Sequence, residues 1–344
     1  NMFDLIQPEY QREGGATYYQ HNDVSDTQLF QDMGSVRRVP IEAITSQNYA
    51  SANMADVEII DQTTPVSNYS ALQNTSTGEL LDTRPIGKTY NLIPHDKLFA
   101  NHADILAGSD LPVSNVTVMD RIYDDGLRAH RTVHFLDLQH AVGEKQDNVV
   151  CRMDIFNSID MSWAFQIFSG AYRDLCQNTL VFGGEKAYHQ KQKHTKNLFP
   201  EALINKAAMG LNMWETQLDL MNTWRGAKLS DEQFGQILAE TVCHKSGAAA
   251  EQGHAKPVNE RLFNYLMHQF NAEKQELGQT MWAAYNALTH WSTHTNVTWE
   301  DEKGTARQTG KSTASQHMVQ RTRNDKVRDV ITSPSWQYLE SVAA

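Results

Sequence analysis

The 344-residue chain carries 30 basic and 41 acidic side chains, a formal net charge of −11, with 40% hydrophobic content. That length suffices for one large or two ordinary cores. No run of about 18 apolar residues offers a transmembrane helix, and the acidic total argues against a protein that coats duplex DNA nonspecifically. Charge is uneven: residues 1–110 hold 15 acidic against 6 basic side chains. The three cysteines, Cys151, Cys176 and Cys243, are far apart and form no CxxC pair. They read as reduced thiols with no zinc site. The amino-terminal stretch NMFDLIQPEYQREGG lacks the basic start and apolar centre of a signal peptide, so a cytoplasmic location and no membrane contact are expected.

Residues 1–84 are polar and acidic, with short apolar islands such as Val57-Glu58-Ile59-Ile60 that suggest short strands. Pro94 ahead of HDKLFANHADILA and Gly108 behind it frame a helix over 95–107. Val116, Val118 and Ile122 alternate, Asp124-Asp125-Gly126 turns the chain, and Val133 with Phe135 continue on a return strand. Val149, Cys151, Met153 and Ile155 repeat that period of two, as do Trp163, Phe165 and Ile167 after the Asn157–Asp160 turn. From Tyr172 the spacing becomes Tyr172, Leu175, Cys176, Thr179, which predicts a helix ending at Gly183-Gly184. Residues 85–199 thus read as a β-β-β-β-α core built on an antiparallel sheet. Residues 200–344 read as helical, with a break near Gly210, a capping box at Ser230 and Gln233, and a last helix from Ser315 to Ile331 that stops at Ser333-Pro334. The fold class expected is α+β, a sheet followed by a mainly helical region.

Several constellations bear on chemistry. Gly304 to Ser312 imitates a phosphate-binding loop but has five residues between its glycines where the motif needs four. His290 and His294 are spaced to share a metal, yet Trp291 stands where a zinc protease needs Glu. Asp154, Asp160 and Asp174 could assemble a carboxylate cluster for metal-assisted phosphodiester chemistry, or simply cap turns. No nucleophile arrangement is signalled, and neither a catalytic residue nor a metal site is assigned. The strongest cluster is basic: Lys186, Tyr188, Lys191, Lys193, His194 and Lys196 lie in one short run, with Arg152 and Arg173 on the adjoining elements. Lysines that neutralise phosphates beside an aromatic ring are what single-stranded nucleic-acid binding requires.

Four motifs carry a resemblance: Asn157-Ser158-Ile159-Asp160-Met161-Ser162, the Arg173–Leu180 run RDLCQNTL, Lys193-His194-Thr195 and Tyr285-Asn286-Ala287-Leu288-Thr289. Over about 85–330 the chain resembles the phage/plasmid-like proteins of domain-of-unknown-function family 932. The family more often has Gly where Met161 and Thr179 stand, and it supplies no agreed catalytic residues. The resemblance implies a phage or mobile-element setting and a cytoplasmic location. The β-rich core with its basic face is also similar to phage single-strand annealing proteins, which form rings or filaments. The function expected is therefore single-stranded DNA binding with strand annealing, by a homo-oligomer needing no ATP, metal or other cofactor. Arg152, Arg173, Lys186, Lys191, Lys193, His194 and Lys196 would meet the DNA, with Tyr188 or Trp163 stacking on bases. The alternatives are an interaction protein that blocks a host defence enzyme, and a metal-dependent nuclease.

Overall fold

The computed structural model describes residues 11–13, 15–50, 57–142, 147–173, 177–182, 189–244, 258–295, 298–300, 306–308 and 313–343. The chain opens with β1 (Gln11–Glu13), β2 (Ala16–His21) and the short helix α1 (Gln28–Asp32). The antiparallel pair β3 (Val36–Ala50) and β4 (Val57–Asn74) comes next, then β5 (Ile86–Gly87) and α2 (His95–Ala107). A meander follows: β6 (Val116–Tyr123), β7 (Arg128–Val142), β8 (Asp147–Ser158) and β9 (Phe165–Arg173), then β10 (Asn178–Val181) and β11 (His189–Gln192). The remainder holds α3 (Pro200–Leu211), α4 (Trp214–Gly226), α5 (Asp231–Glu240), α6 (Glu260–Leu277), α7 (Met281–Thr293), the small pair β12 (Thr298–Glu300) and β13 (Ala306–Gln308), α8 (Thr313–Ile331) and α9 (Pro334–Ala343). An antiparallel sheet followed by a helical region is an α+β fold, as the patterning implied.

The main sheet runs β1-β2-β6-β7-β8-β9-β10, with β11 paired to β9 beyond the end of β10. Strands β6 to β9 are the four expected from alternation. The Asp124-Asp125-Gly126 turn works because all three residues take positive φ, at 49°, 51° and 96°. Asp and Gly tolerate that region better than other residues. The amino-terminal third is not a separate strip of short strands: β2 is hydrogen-bonded into the sheet beside β6, and β3 and β4 are 15 and 18 residues long.

The helix expected from Tyr172 does not form. Strand β9 continues to Arg173 and the chain returns as β10, with Tyr172 opposite Thr179 and Gly170 opposite Val181. The return starts at Gln177, whose φ is 55°; Asp174, Leu175 and Cys176 lie outside the described residues. Nearly every residue of β9 is buried on both faces, and a strand with two buried faces shows no alternation to tell it from a buried helix. Gly170 is required here, since a Cβ at that position would stand 2.4 Å from the Leu180 carbonyl oxygen.

The carboxyl-terminal expectations fare better. The break near Gly210 separates α3 from α4, and Ser230 with Gln233 forms the full reciprocal capping box of α5. Pro334 does not end the fold but opens α9, a position where its missing N–H costs nothing. Within the phosphate-loop-like stretch, residues 306–308 form β13 and pair with β12, so a strand occupies the place of the loop's curl. The rest of that stretch lies outside the described residues.

One face of the sheet is the floor of the core. Val118, Val133, Met153, Ile155 and Ile167 join Phe30 of α1, Phe99 of α2, Ile204 of α3, Trp224 of α4 and Tyr285 of α7 in a single cluster that reaches Trp336 of α9. An ion pair is set within it. Arg131 binds Asp120 through Nε at 2.7 Å and Nη2 at 2.8 Å, and donates to the carbonyls of Val24 (3.0 Å) and Asp26. Its guanidinium lies 5.5 Å from both the Phe30 and Phe99 ring centroids. This pair ties the amino-terminal loop to the centre of the sheet.

Candidate nucleic-acid interface

Residues directly opposite one another in an antiparallel sheet point to the same face. The registers therefore define one row across the sheet: Tyr18, Arg121, His130, Phe156, Gln166 and Lys191. A second row holds Gln20, Met119, Thr132, Asp154 and Phe168, and a third holds Thr117, His134, Arg152 and Gly170. These positions alternate with the apolar core residues and make the face opposite the main core unusually polar.

Its centre is a hydrogen-bonded network around Asp154. That carboxylate accepts from His130 Nε2 (2.7 Å), Thr132 Oγ1 (2.8 Å), and Arg152 through Nε (2.6 Å) and Nη2 (2.8 Å). Burial alone would raise its pKa, but Arg152 and the His130 hydrogen bond outweigh burial and hold the carboxyl well below its ordinary range. Arg121 reaches the network through Thr132 Oγ1 at 3.1 Å. Arg152 passes over Gly170, where no side chain blocks it, to Thr179 Oγ1 at 3.4 Å. Burial depresses His130 to about 4 and His134 to about 3, so both rings are neutral at pH 7.

Helix α8 lies across part of this face. Gln320 donates to Thr179 Oγ1 at 3.2 Å, and the Arg321 guanidinium sits 4.8 Å over the Phe156 ring and 5.7 Å from that of Trp163. Burial lowers the Arg321 pKa to about 10, which leaves it charged. Arg121, His134, Arg152 and Tyr172 remain half-buried and reach solvent beside the helix. The charges borne by these rows and the overlying helix residue are Arg121, Arg152, Lys191 and Arg321 against Asp154.

The sequence-derived candidates separate into groups. Lys191, on β11, and Lys193 and Lys196, in the turn after it, are exposed, and among the described residues none makes an ion pair. Arg152 shares the polar face. Lys186 and Tyr188 lie outside the described residues. Arg173 is corrected: it points to the opposite face, 1% exposed, with Nη1 3.0 Å from Asn286 Oδ1 and 3.5 Å from Glu273 Oε2. There it floors a cleft of about 430 Å³ between β9, α6 and α7, away from the lysines. His194 is also corrected. It is buried, stacks on Tyr90 at 5.0 Å, bonds the Asn91 carbonyl at 3.1 Å, and burial lowers its pKa, so it is neutral and holds the turn. Trp163 is 3% exposed beneath Arg321 and cannot stack on a base; the exposed ring near the lysines is Phe199, at 64%.

The rival chemistries find less support. Asp154 is occupied by its three partners and Asp160 accepts from the backbone N–H and hydroxyl of Ser162 at 3.0 and 2.5 Å; Asp174 lies outside the described residues. His290 Nδ1 accepts from Gln269 Nε2 (2.7 Å) and lies 3.2 Å from the Tyr265 hydroxyl, and His294 Nε2 contacts Asn178 Oδ1 at 3.1 Å. Among the described residues no group of three or more His, Cys, Asp or Glu is arranged to hold a metal, and no helix is long and apolar enough to cross a membrane.

The sequence also offers Arg121, Arg128 and Arg131 as cations adjoining the lysine run, and of these Arg121 stands on the polar face. Sequence reasoning missed His130 and Arg321. His130 had a signal, polar residues at alternate positions of strands whose other face is apolar. Arg321 had none, because it comes from a helix far along the chain. Among known proteins, a family model described as a domain of unknown function (DUF932) matches residues 84–326, more than half of the chain. No curated protein and no solved structure matches.

Proposed function

We propose that this chain, which belongs to the DUF932 family, binds single-stranded nucleic acid across the polar face and basic edge of its main sheet. The observation that carries the reading is the excess of cations on the central rows of that face: Arg121, Arg152, Lys191 and Arg321 stand against Asp154, the flanking Arg128 is balanced by Asp124 and Asp160, and Lys193 and Lys196 extend the positive strip beyond the sheet edge. In a chain of net charge −11 such a strip orients a polyanion to one place. Phosphates run along Lys191, Lys193 and Lys196, Phe199 offers a ring for a base, and Arg121 and Arg152 draw the strand onto the sheet. Holding strands this way requires neither ATP nor metal. In this reading the protein is a homo-oligomer that presents strands for annealing in the cytoplasm of a phage- or prophage-bearing cell.

The test is fluorescence anisotropy with a labelled single-stranded oligonucleotide and its duplex across a salt series. Tighter binding to the single strand that weakens steeply with salt is expected, and its loss in the Lys191→Ala/Lys193→Ala/Lys196→Ala variant. Absence of binding at low salt overturns the proposal.

A further inference from the structure

The two longest strands of the chain, β3 and β4, lie outside the main sheet. They pair with each other, and among the described residues the only strand beside them is the two-residue β5, which meets β4 at Tyr69 and Ser70. The base of this ribbon is held to the body, where Val36 and Leu72 pack with Ile86, Ile159 and Tyr90. Beyond the base the packing stops. From Arg37 to Ile44 and from Thr63 to Ala71 every residue is exposed or half-buried, and Ile44 and Tyr69 are 67% and 53% exposed. Past the bulge at Pro40 and Glu42, residues 42–50 pair with 57–65 and extend the ribbon by about 30 Å, at ~3.4 Å per residue.

A two-stranded ribbon without a third strand or a packed face is barely stable in water, and its open edges invite another chain. Charge decides which one. Residues 41–68 hold four acidic side chains, Glu42, Asp56, Glu58 and Asp61, and no basic one. That balance turns away nucleic acid, and it turns away a second ribbon of the same kind. The complementary surface belongs to the same chain. Lys191, Lys193 and Lys196 are exposed and make no ion pair among the described residues, and the run from His189 to Phe199 contains no acid. Lys191 stands on β11, whose far edge carries no strand among the described residues. Lysine blunts an edge against ordinary strands, and a ribbon bearing acids is the partner it still accepts. Within one copy, β3 and β4 pair with no strand of the main sheet.

We infer that the β3–β4 ribbon docks on the lysine strip of a second copy of this chain. The inference gives a surface to the self-association proposed above and rests on that part of the reading, not on nucleic-acid binding. The contact is heterologous, ribbon of one copy to strip of the next. Each copy keeps one of the two surfaces for a further neighbour, so assembly passes beyond a dimer. Ribbon and nucleic acid call on the same lysines, so a strand enters as a ribbon is released.

The test is analytical ultracentrifugation of the full chain, free of nucleic acid, at about 50 and about 500 mM salt. Species larger than a dimer are expected at low salt, dissociating as salt rises. Glu42→Lys/Glu58→Lys/Asp61→Lys reverses the ribbon, and Lys191→Glu/Lys193→Glu/Lys196→Glu reverses the strip. Each variant alone should sediment as a monomer, because its ribbon and strip then carry the same sign. Mixed in equal amounts they should associate again, since each ribbon meets an oppositely charged strip. Recovery on mixing separates a lost contact from a lost fold, and the lysine variant alters only exposed side chains. A parent that stays monomeric at both salts, association that survives either reversal, or a mixture that stays monomeric overturns the inference. Nucleic acid enters none of these readouts, so failure here is distinct from failure of strand binding.

Discussion

Replacing Lys191, Lys193 and Lys196 together by Ala changes the salt dependence of nucleic-acid binding by a calculable amount. All three side chains are exposed and make no ion pair among the described residues, so their removal costs the fold at most about 0.5 kcal/mol each. For single strands, the slope of log affinity against log salt is about −0.7 per phosphate neutralised. Losing three contacts therefore flattens the slope by about 2. Over a fourfold rise in salt, from about 50 to about 200 mM, the variant loses about 20-fold less affinity than the parent, which started tighter. Anisotropy titrations at four or more salt concentrations measure both slopes, with thermal unfolding to confirm the fold. A slope unchanged within error, with binding intact, refutes the assignment of the strip. Arg173→Ala offers the contrast: its guanidinium is buried against Asn286 and Glu273, so it lowers stability by about 3 kcal/mol or more and does not act through the salt slope.

Three further outcomes follow from the core. Asp120→Ala strands the buried Arg131 guanidinium and should cost about 3–5 kcal/mol in urea unfolding, most of which Asp120→Leu/Arg131→Met recovers; a loss below about 1 kcal/mol contradicts the burial. Burial depresses His95 to about 4, His102 to about 3 and His130 to about 4, so each is neutral when folded and takes up a proton only on unfolding below its ordinary 6.5. Stability is therefore lost as pH falls through 6.5. The loss reaches about 4 kcal/mol for the three at pH 5.5, from about 1.4 kcal/mol per residue and pH unit. His102→Leu, removing a ring whose two nitrogens find no hydrogen-bond partner among the described residues, should reduce the measured loss at pH 5.5 by about 1.4 kcal/mol; an unchanged pH profile disproves the cause. Finally, Met161 has φ of 66°, so Met161→Gly should exceed Met161→Ala in stability by about 1 kcal/mol, and equality of the two variants in chemical denaturation speaks against the strain.

Two residues of the motifs that carried the resemblance show what side-chain patterns leave out: Met161 holds a left-handed φ, and Thr179 places a hydroxyl that meets Arg152 and Gln320 on the polar face.

Alternation and punctuation by themselves determined strands β6 to β9, helix α2 and the capping box of α5, because each is a local preference written in neighbouring residues. The exposed lysines were legible for the same reason, as a charge run with no apolar face to bury. Only the tertiary structure decided that β9 turns back into β10, that Arg173 and His194 face inward, and that Arg321 joins Arg121 and Arg152. Which face a buried strand presents depends on register, and register depends on partners distant in sequence. A charged residue's role follows from that face: Arg152 and Arg173 share an adjoining strand pair, yet one meets the polar surface and the other the helical core.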